Sequence, residues 1–218
     1  MIKVTNLTKQ LVRNKQGFEA VNNVSMEIKK GAFVAITGHS GSGKTTLFNM
    51  LAGLIKPTSG TIYIEDKEFS TMKEKEMSEF RNQNMGYVLQ GQSLLNNFTI
   101  LDNVCMPAYL GKDSKGYTER AMKLLKEIGM EELMNDYPSN LSGGEMRRVS
   151  IVRAMINEPK ILLADEPTSN LDPQNAHKVM KMLREISDAG TTVLLSTHEL
   201  EYLDYVDYVI KMENGKII

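Results

Sequence analysis

Residues Phe33 to Leu54 read FVAITGHSGSGKTTLFNMLAGL. The first five are apolar or β-branched, as a buried strand requires. Gly38 to Thr45, GHSGSGKT, follows that strand, and Thr45 to Leu54 has the apolar spacing of a helix. Strand, glycine-rich turn and helix, in that order, form the context of a phosphate-binding loop. Glycines at 38, 41 and 43 let the backbone turn its amide hydrogens inward, and a helix opening near Lys44 adds the positive end of its dipole. Lys44 would then reach the β- and γ-phosphates of a nucleotide, and the Thr45 hydroxyl would hold a magnesium ion bridging the same oxygens. His39 and Ser40 occupy variable positions of the pattern, so their side chains receive no role from it.

Outward from this stretch, short apolar runs bounded by turn signals recur at Ile2 to Leu7, Val21 to Ile28, Thr61 to Ile64, Met85 to Leu89, Ile161 to Ala164, Thr191 to Ser196 and Tyr208 to Met212. They read as strands. The runs from Phe33, Ile161 and Thr191 are nearly all apolar, the pattern of strands covered on both faces in a parallel sheet. Helices are expected at Thr45 to Leu54, Gly144 to Asn157 and Pro173 to Ala189, giving an α/β fold with an added antiparallel part. Glu213, Asn214 and Gly215 carry an Asn-Gly hairpin turn. Between about Gln90 and Lys160 the strand signals stop, and Thr118 to Ile128 places Ala121, Leu124, Leu125 and Ile128 on one helical face. A helical insertion into the sheet is expected there. The charge run Lys73 to Glu76 reads as solvated surface. The 15 methionines read first as core filling, with an adaptable docking surface as the sharper alternative.

The chain has 218 residues, 41% hydrophobic and 24% charged, close to an average globular domain. Its 26 Lys plus Arg against 27 Asp plus Glu leave a net charge of -1, without the basic surplus expected of a nucleic-acid binder. Cys105 is the single cysteine, which excludes a disulfide within the chain and reads as a small buried residue in a cytosolic protein. MIKVTNLTKQ at the start lacks the apolar stretch of a secretion signal, and no run of about 18 apolar residues occurs, so a membrane would be served from outside it.

Ile161 to Glu166, ILLADE, is an apolar strand running into two carboxylates. Asp165 at the strand end is placed to steer a magnesium ion, and Glu166 is the candidate base that polarises water in line with a γ-phosphate. Alone, a strand ending in a polar turn would explain both; the upstream phosphate loop favours the chemistry. His198 follows the run TTVLLS at the same carboxyl edge, where ligands bind in open α/β sheets, and is a candidate γ-phosphate contact. Gln90 ends the strand-like MGYVLQ and is able to touch metal or water, although an ordinary loop amide accounts for it equally well.

Leu141 to Glu145 reads LSGGE ahead of a helical pattern. Ser142 and Glu145 stand three apart, as in a capping box. The two glycines exceed what a cap needs, since glycine is unfavourable in a helix, and bare amides at a helix start make a second anion cradle. Only the first cradle has a lysine and a metal ligand. The second would then serve nucleotide held by another copy of the chain, in a two-fold pair.

In this order, GHSGSGKT, Gln90, LSGGE, ILLADE, SNLD at Ser169 to Asp172 and STH ending at His198 resemble the ATP-binding subunit of an ABC transporter over essentially the whole chain. The resemblance implies an α/β P-loop NTPase (RecA-like) core with a mostly parallel sheet, an antiparallel β part and an inserted α-helical subdomain. It implies one domain over 1–218, with its core at about 1–89 and 160–218 and the helical subdomain at about 90–159. It implies ATP contacts along Gly38, His39, Ser40, Gly41, Ser42, Gly43, Lys44, Thr45 and Thr46, and magnesium at Thr45, Gln90 and Asp165. Ser142, Gly143, Gly144 and Glu145 become the signature that meets the γ-phosphate across a dimer. Glu166 becomes the catalytic carboxylate, His198 the switch histidine, and Asp172 part of the loop linking the two sites. The implied partners are a second copy and an integral membrane permease docked on the helical subdomain, with the chain peripheral at the cytoplasmic face of the cell membrane.

The group powering lipoprotein release, macrolide efflux, antimicrobial-peptide resistance and the cell-division complex is resembled most, on GQSLLNNFTILDNVCMP and ADEPTSNLD. Such a subunit drives a permease by export, lipoprotein release or mechanotransmission; the alternative from another class is an ATP-driven gating module that moves no substrate. A small phosphotransferase explains neither LSGGE nor His198. Two departures stand out. Glu145 replaces the usual Gln of the signature, and Leu11 stands where an adenine-stacking tyrosine is common, with Phe18 the nearest aromatic.

Overall fold

The computed structural model describes residues 2–13, 15–111 and 116–218. Two long strands, β1 (Ile2–Arg13) and β2 (Gln16–Ile28), pair antiparallel and place Leu11 directly opposite Phe18. With β4 (Ser59–Ile64) and β5 (Lys67–Glu68) they form a four-stranded antiparallel sheet in the order β2-β1-β4-β5. The second sheet has six strands: β3 (Phe33–Thr37), β6 (Met85–Val88), β7 (Ile161–Asp165), β8 (Thr192–Thr197), β9 (Tyr208–Glu213) and β10 (Lys216–Ile217). Their order is β10-β9-β3-β8-β7-β6, parallel except for β10, which returns from β9 through the Asn214-Gly215 turn.

Every residue of β3, β7 and β8 is buried, which is why these runs lack alternation in the sequence. The two faces of β3 enter different cores. Val34 and Ile36 join Leu47, Phe48 and residues of the antiparallel sheet such as Ile2, Val4 and Ile62, whereas Phe33 and Ala35 join Val179, Met180 and Leu183. Helix α1 (Lys44–Leu51) therefore lies in the first core and α6 (Pro173–Asp188) in the second. Between β6 and β7 run α3 (Ile100–Tyr109), α4 (Tyr117–Glu127) and α5 (Gly143–Met155), which share a third cluster including Ile100, Val104, Cys105, Ala121, Leu125, Val149 and Ile156.

Helix α2 (Glu74–Asn84), the two-residue strand β5 and the full length of β1 were not evident from the sequence pattern. Met77 is the one buried residue of α2, so no apolar stripe announces it. The Lys73 to Glu76 charge run is solvated as expected and also starts this helix, with the Lys73 N–H donating to the Glu76 carboxylate at 3.1 Å. β1 extends past Leu7 because the segment up to Arg13, begun by the polar run Thr8 to Gln10, finds ladder partners on β2. Met50, Met77, Met85, Met130, Met180 and Met212 are buried, which favours core filling over docking for these. Among the described residues, no helix is long and apolar enough to cross a membrane.

Candidate functional site

The loop from Gly38 to Gly43 is wedged between two strands. A Cβ on Gly43 would lie 2.2 Å from the Ala20 carbonyl oxygen of β2, and one on Gly38 would lie 2.3 Å from the Met212 carbonyl oxygen of β9. Gly41 and Gly43 also have φ of 80° and 101°, the left-handed region open to glycine at little cost. The Gly215 N–H donates to the Ser42 carbonyl at 3.0 Å, which fastens the loop to the β9–β10 turn. Gly43 caps α1 without a side chain, and the first turn carries no acidic residue, so the leading amides keep their donors for an outside anion.

Lys44 is only 5% exposed, and its ammonium donates to the Gly38 carbonyl at 2.7 Å and the His39 carbonyl at 3.2 Å. Burial pulls its pKa below the usual lysine value, opposed by the nearby Glu166 and Asp165 carboxylates. His39 Nδ1 lies 2.7 Å from the Ser40 carbonyl oxygen, so the ring folds onto its own loop.

At the end of β7, Asp165 is buried and its carboxylate accepts a hydrogen bond from the Ser196 hydroxyl of β8. The next residue, Glu166, has φ of 47°, an unfavourable value for a side chain of this size. Its N–H is pinned by the Ser196 carbonyl at 3.1 Å and the Ser196 hydroxyl at 3.0 Å. The Glu166 carboxylate is where the predicted residues meet. Oε2 accepts from Gln90 Nε2 at 2.8 Å, while Oε1 lies 3.4 Å from His198 Nδ1 and 3.9 Å from Lys44 Nζ. Ser196 escaped the sequence reading; the signal available was a hydroxyl directly after the apolar Val193 to Leu195.

Lys44, Gln90 and Glu166 open on a cleft of about 530 Å³, to which Asp165 and His198 contribute no lining; Ser40, Gly41, Gly43, Thr45 and Thr46 complete one side and Leu11, Phe18, Glu19, Ala20, Asn214 and Gly215 form the other. The last four were not anticipated as lining residues. Thr45 is exposed, and with the Gln90 amide and the Asp165 carboxylate it offers only oxygen donors, the chemistry of a hard divalent cation. Among the described residues no cluster of three or more His, Cys, Asp or Glu is able to hold a metal. A cation here would therefore depend on phosphate and water oxygens as well.

The LSGGE segment is elsewhere. Gly143 lines a separate cleft of about 160 Å³ with Gly91, Gln92, Met146 and Leu171, and no lining residue is shared with the first cleft. Ser142 caps α5: its N–H and hydroxyl donate to the Glu145 carboxylate at 2.8 Å and 2.6 Å, and its hydroxyl oxygen accepts the Glu145 N–H at 3.4 Å. These bonds hold the Glu145 carboxyl below the ordinary range. The two glycines differ. A Cβ on Gly144 would lie 2.6 Å from Asn175 Cγ of α6, whereas at Gly143 the nearest atom is Leu171 Cδ2 at 3.7 Å. Gly144 thus has a packing reason that the sequence reading did not give it. Asn175 in turn bonds Asp172, the N-cap of α6, through its N–H at 3.0 Å and its amide at 2.6 Å, which lowers the Asp172 pKa.

Comparison with known proteins bears on this geometry. Residues 21–169 match the model of the ABC transporter family. The chain is 38% identical to the lipoprotein-releasing system ATP-binding protein LolD of Buchnera aphidicola, covering 100% of this chain and 96% of that protein. It is 39% identical to the macrolide export ATP-binding/permease protein MacB of Vibrio parahaemolyticus, but spans only 34% of that longer protein's length. A dimeric, post-hydrolysis structure of the ATP-binding cassette MJ0796 bound to ADP and Pi superposes with a TM-score of 0.92 at 35% identity, covering 100% of this chain and 96% of that one.

Proposed function

We infer, since this chain belongs to the ABC transporter family, that it is the ATP-hydrolysing subunit whose paired copies drive a conformational change in a membrane permease. The observation that carries this reading is the convergence of Gln90, His198 and Lys44 on the Glu166 carboxylate, beside a glycine loop with unclaimed amides.

In the proposed site, Gly38 to Thr46 wraps the phosphates. Lys44 exchanges the Gly38 and His39 carbonyls for phosphate oxygens, and Leu11 and Phe18, opposite one another across β1 and β2, hold the adenine by apolar contact. Glu166 accepts the proton of a water in line with the γ-phosphate. Gln90 and His198 fix the direction of that carboxylate, and His198 meets the γ-phosphate. Thr45, Gln90 and Asp165 would hold Mg2+, which when bound offsets charge on the β- and γ-oxygens. A second copy supplies Ser142, Gly143, Gly144 and Glu145, while Asp172 links the two sites. The separation of the two clefts within one chain supports this division.

The chain is read as one cassette, with its core at 1–89 and 160–218 and a helical part at 90–159 that docks the permease at the cytoplasmic face of the membrane. The LolD and MacB relatives, named for lipoprotein release and macrolide export, support export or lipoprotein release as the work performed, with mechanotransmission of the permease as the further form of the same reading. Glu166→Gln tests the reading, because the amide keeps the shape but accepts no proton. Turnover is expected to fall about 100- to 10,000-fold, with ATP affinity within about twofold and ATP-bound dimers accumulating on a sizing column. Full activity in this variant would remove Glu166 from the mechanism.

A further inference from the structure

Helix α5 begins at the Ser142 cap and runs 13 residues, roughly 20 Å. Two of its arginines turn away from solvent toward one short loop. Arg147 Nη1 donates to the Leu89 carbonyl at 2.9 Å, and Arg153 donates to the Ser93 carbonyl and the Ser93 hydroxyl, each at 2.7 Å. These contacts bracket Gln90. Arg147 is 6% exposed and Arg153 half-buried, and among the described residues neither guanidinium forms an ion pair with a carboxylate. Burial lowers the pKa of both, opposed at Arg147 by the charge of the Asp165 carboxylate.

A desolvated guanidinium bonded to carbonyls rather than to a carboxylate is a poor way to stabilise a fold; an apolar side chain of similar volume does as well or better. Two such cations on one helix, both spent on the backbone flanking a single residue, point to a mechanical task. On α3, Asn103 completes the grip: its side-chain oxygen accepts the Leu95 N–H at 2.7 Å, and its amide donates to the carbonyls of Leu95, Phe98 and Thr99 at 3.0, 3.1 and 2.9 Å. The loop after Gln90 is therefore tied to the helices at Leu89, Ser93 and Leu95, while the Gln90 side chain reaches Glu166 on the other side.

We propose that Arg147 and Arg153 are positioning residues that fasten the loop around Gln90 to α5, so that nucleotide bound by one copy sets the stance of Ser142 to Gly144 toward the nucleotide of the other. The proposal rests on the reading of Ser142 to Glu145 as a contact across the dimer. When Gln90 shifts toward phosphate, Leu89 and Ser93 move with it. The arginines carry that displacement along a rigid helix to its N-terminus.

The test uses the full chain in the Glu166→Gln background, with ATP-dependent dimerisation followed by analytical ultracentrifugation. Arg147→Met and Arg153→Met are each expected to raise the protein concentration for half-dimerisation at least tenfold. Affinity of the monomer for a fluorescent ADP analogue should stay within twofold, whereas a general loss of structure would lower both together. Dimerisation within twofold of the parent in both variants overturns the proposal. Where an arginine variant loses its cooperative melt, Ser93→Ala decides: it removes one acceptor on a loop, and a shift of at least threefold is expected. No shift there overturns the linkage. A parent that fails to dimerise with ATP refutes the contact across the dimer and the linkage with it; a parent that dimerises beside indistinguishable variants refutes the linkage alone.

Discussion

Gly143 and Gly144 are adjacent on one helix turn, yet alanine should act on them in opposite directions. At Gly143 the added methyl meets only Leu171 Cδ2 at 3.7 Å, an ordinary contact, so the gain in helix propensity survives. That gain is up to about 1 kcal/mol, less at a helix end. At Gly144 the methyl would lie 2.6 Å from Asn175 Cγ and 2.9 Å from Asn175 Cβ, too close to the root of that side chain for a tip rotation to relieve. Overpacking of this kind costs about 1–3 kcal/mol. Displacing Asn175 also loosens its bonds to Asp172, the cap of α6, worth about 1 kcal/mol. After the propensity gain, Gly144→Ala is left about 1–3 kcal/mol less stable than wild type. In a chain of 218 residues that lowers Tm by about 4–8 °C at the middle of the range. Thermal melts of the nucleotide-free monomers measure this directly. Equal melting temperatures for the two variants, or the larger drop at Gly143, would refute the packing argument. Both variants should weaken ATP-dependent dimerisation, since either methyl covers amides of the cradle; that readout separates the anion role from the packing role.

Two other perturbations read the same geometry. Lys44→Met keeps the stem, removes a buried cation and loses two hydrogen bonds to Gly38 and His39. These terms oppose, so Tm should move by no more than about 3 °C, while ATP affinity measured by calorimetry falls about 10- to 100-fold; intact affinity would take Lys44 out of the cradle. Asp207 accepts the Phe33 N–H at 2.7 Å and Arg184 Nη1 at 2.9 Å, and the Phe33 bond first, then Arg184, holds its carboxyl below the ordinary range. A depressed carboxyl contributes stability above its unfolded pKa of about 4 and loses it as pH falls through the lower folded value. Asp207→Asn should therefore be less stable than wild type at pH 7, with the gap in urea midpoint narrowing as pH falls below the unfolded value of about 4. A gap of constant size would show that the charge is irrelevant.

What the sequence made legible follows from where the constraints coincide. At Phe33 to Leu51, strand burial, left-handed glycines and helix start fall on consecutive residues, so each confirms the next. The core strands β7 and β8 were readable for the same reason. Helix α2 was not, because a helix that buries only Met77 leaves no periodic trace. Nor was the Gln90 to Glu166 bond, which joins positions 76 residues apart and depends on β6 lying beside β7 in the finished sheet. Leu11 and Phe18 were suspected singly; their register across β1 and β2 makes them one surface. The close approach of Gly144 to Asn175 is a property of helix packing, and glycine in a cap sequence carries no mark of it.

Under the proposed function, the exposure pattern gives a second copy something to complete. Lys44 and Asp165 are buried, but His198 is 55% exposed in its side chain, Phe18 is 46% exposed, and Thr45 faces solvent. A carboxylate directing a single water works best where bulk water is excluded, since the low dielectric strengthens every charge contact around it. Among the described residues none lining the first cleft supplies that cover, and the helix start at Ser142 is held elsewhere, with Gly144 packed against Asn175 and with Arg147 and Arg153 tying its helix to the loop around Gln90. In the proposed pair, the same contacts that keep the signature away from its own chain's nucleotide would present it to another copy, with the Ser142 and Glu145 N–H groups spent on the cap and the Gly143 and Gly144 amides outside it. ATP hydrolysis becomes conditional on the pair, and a change in the nucleotide becomes a change in how two subunits face each other, which is a displacement that a membrane partner is able to use.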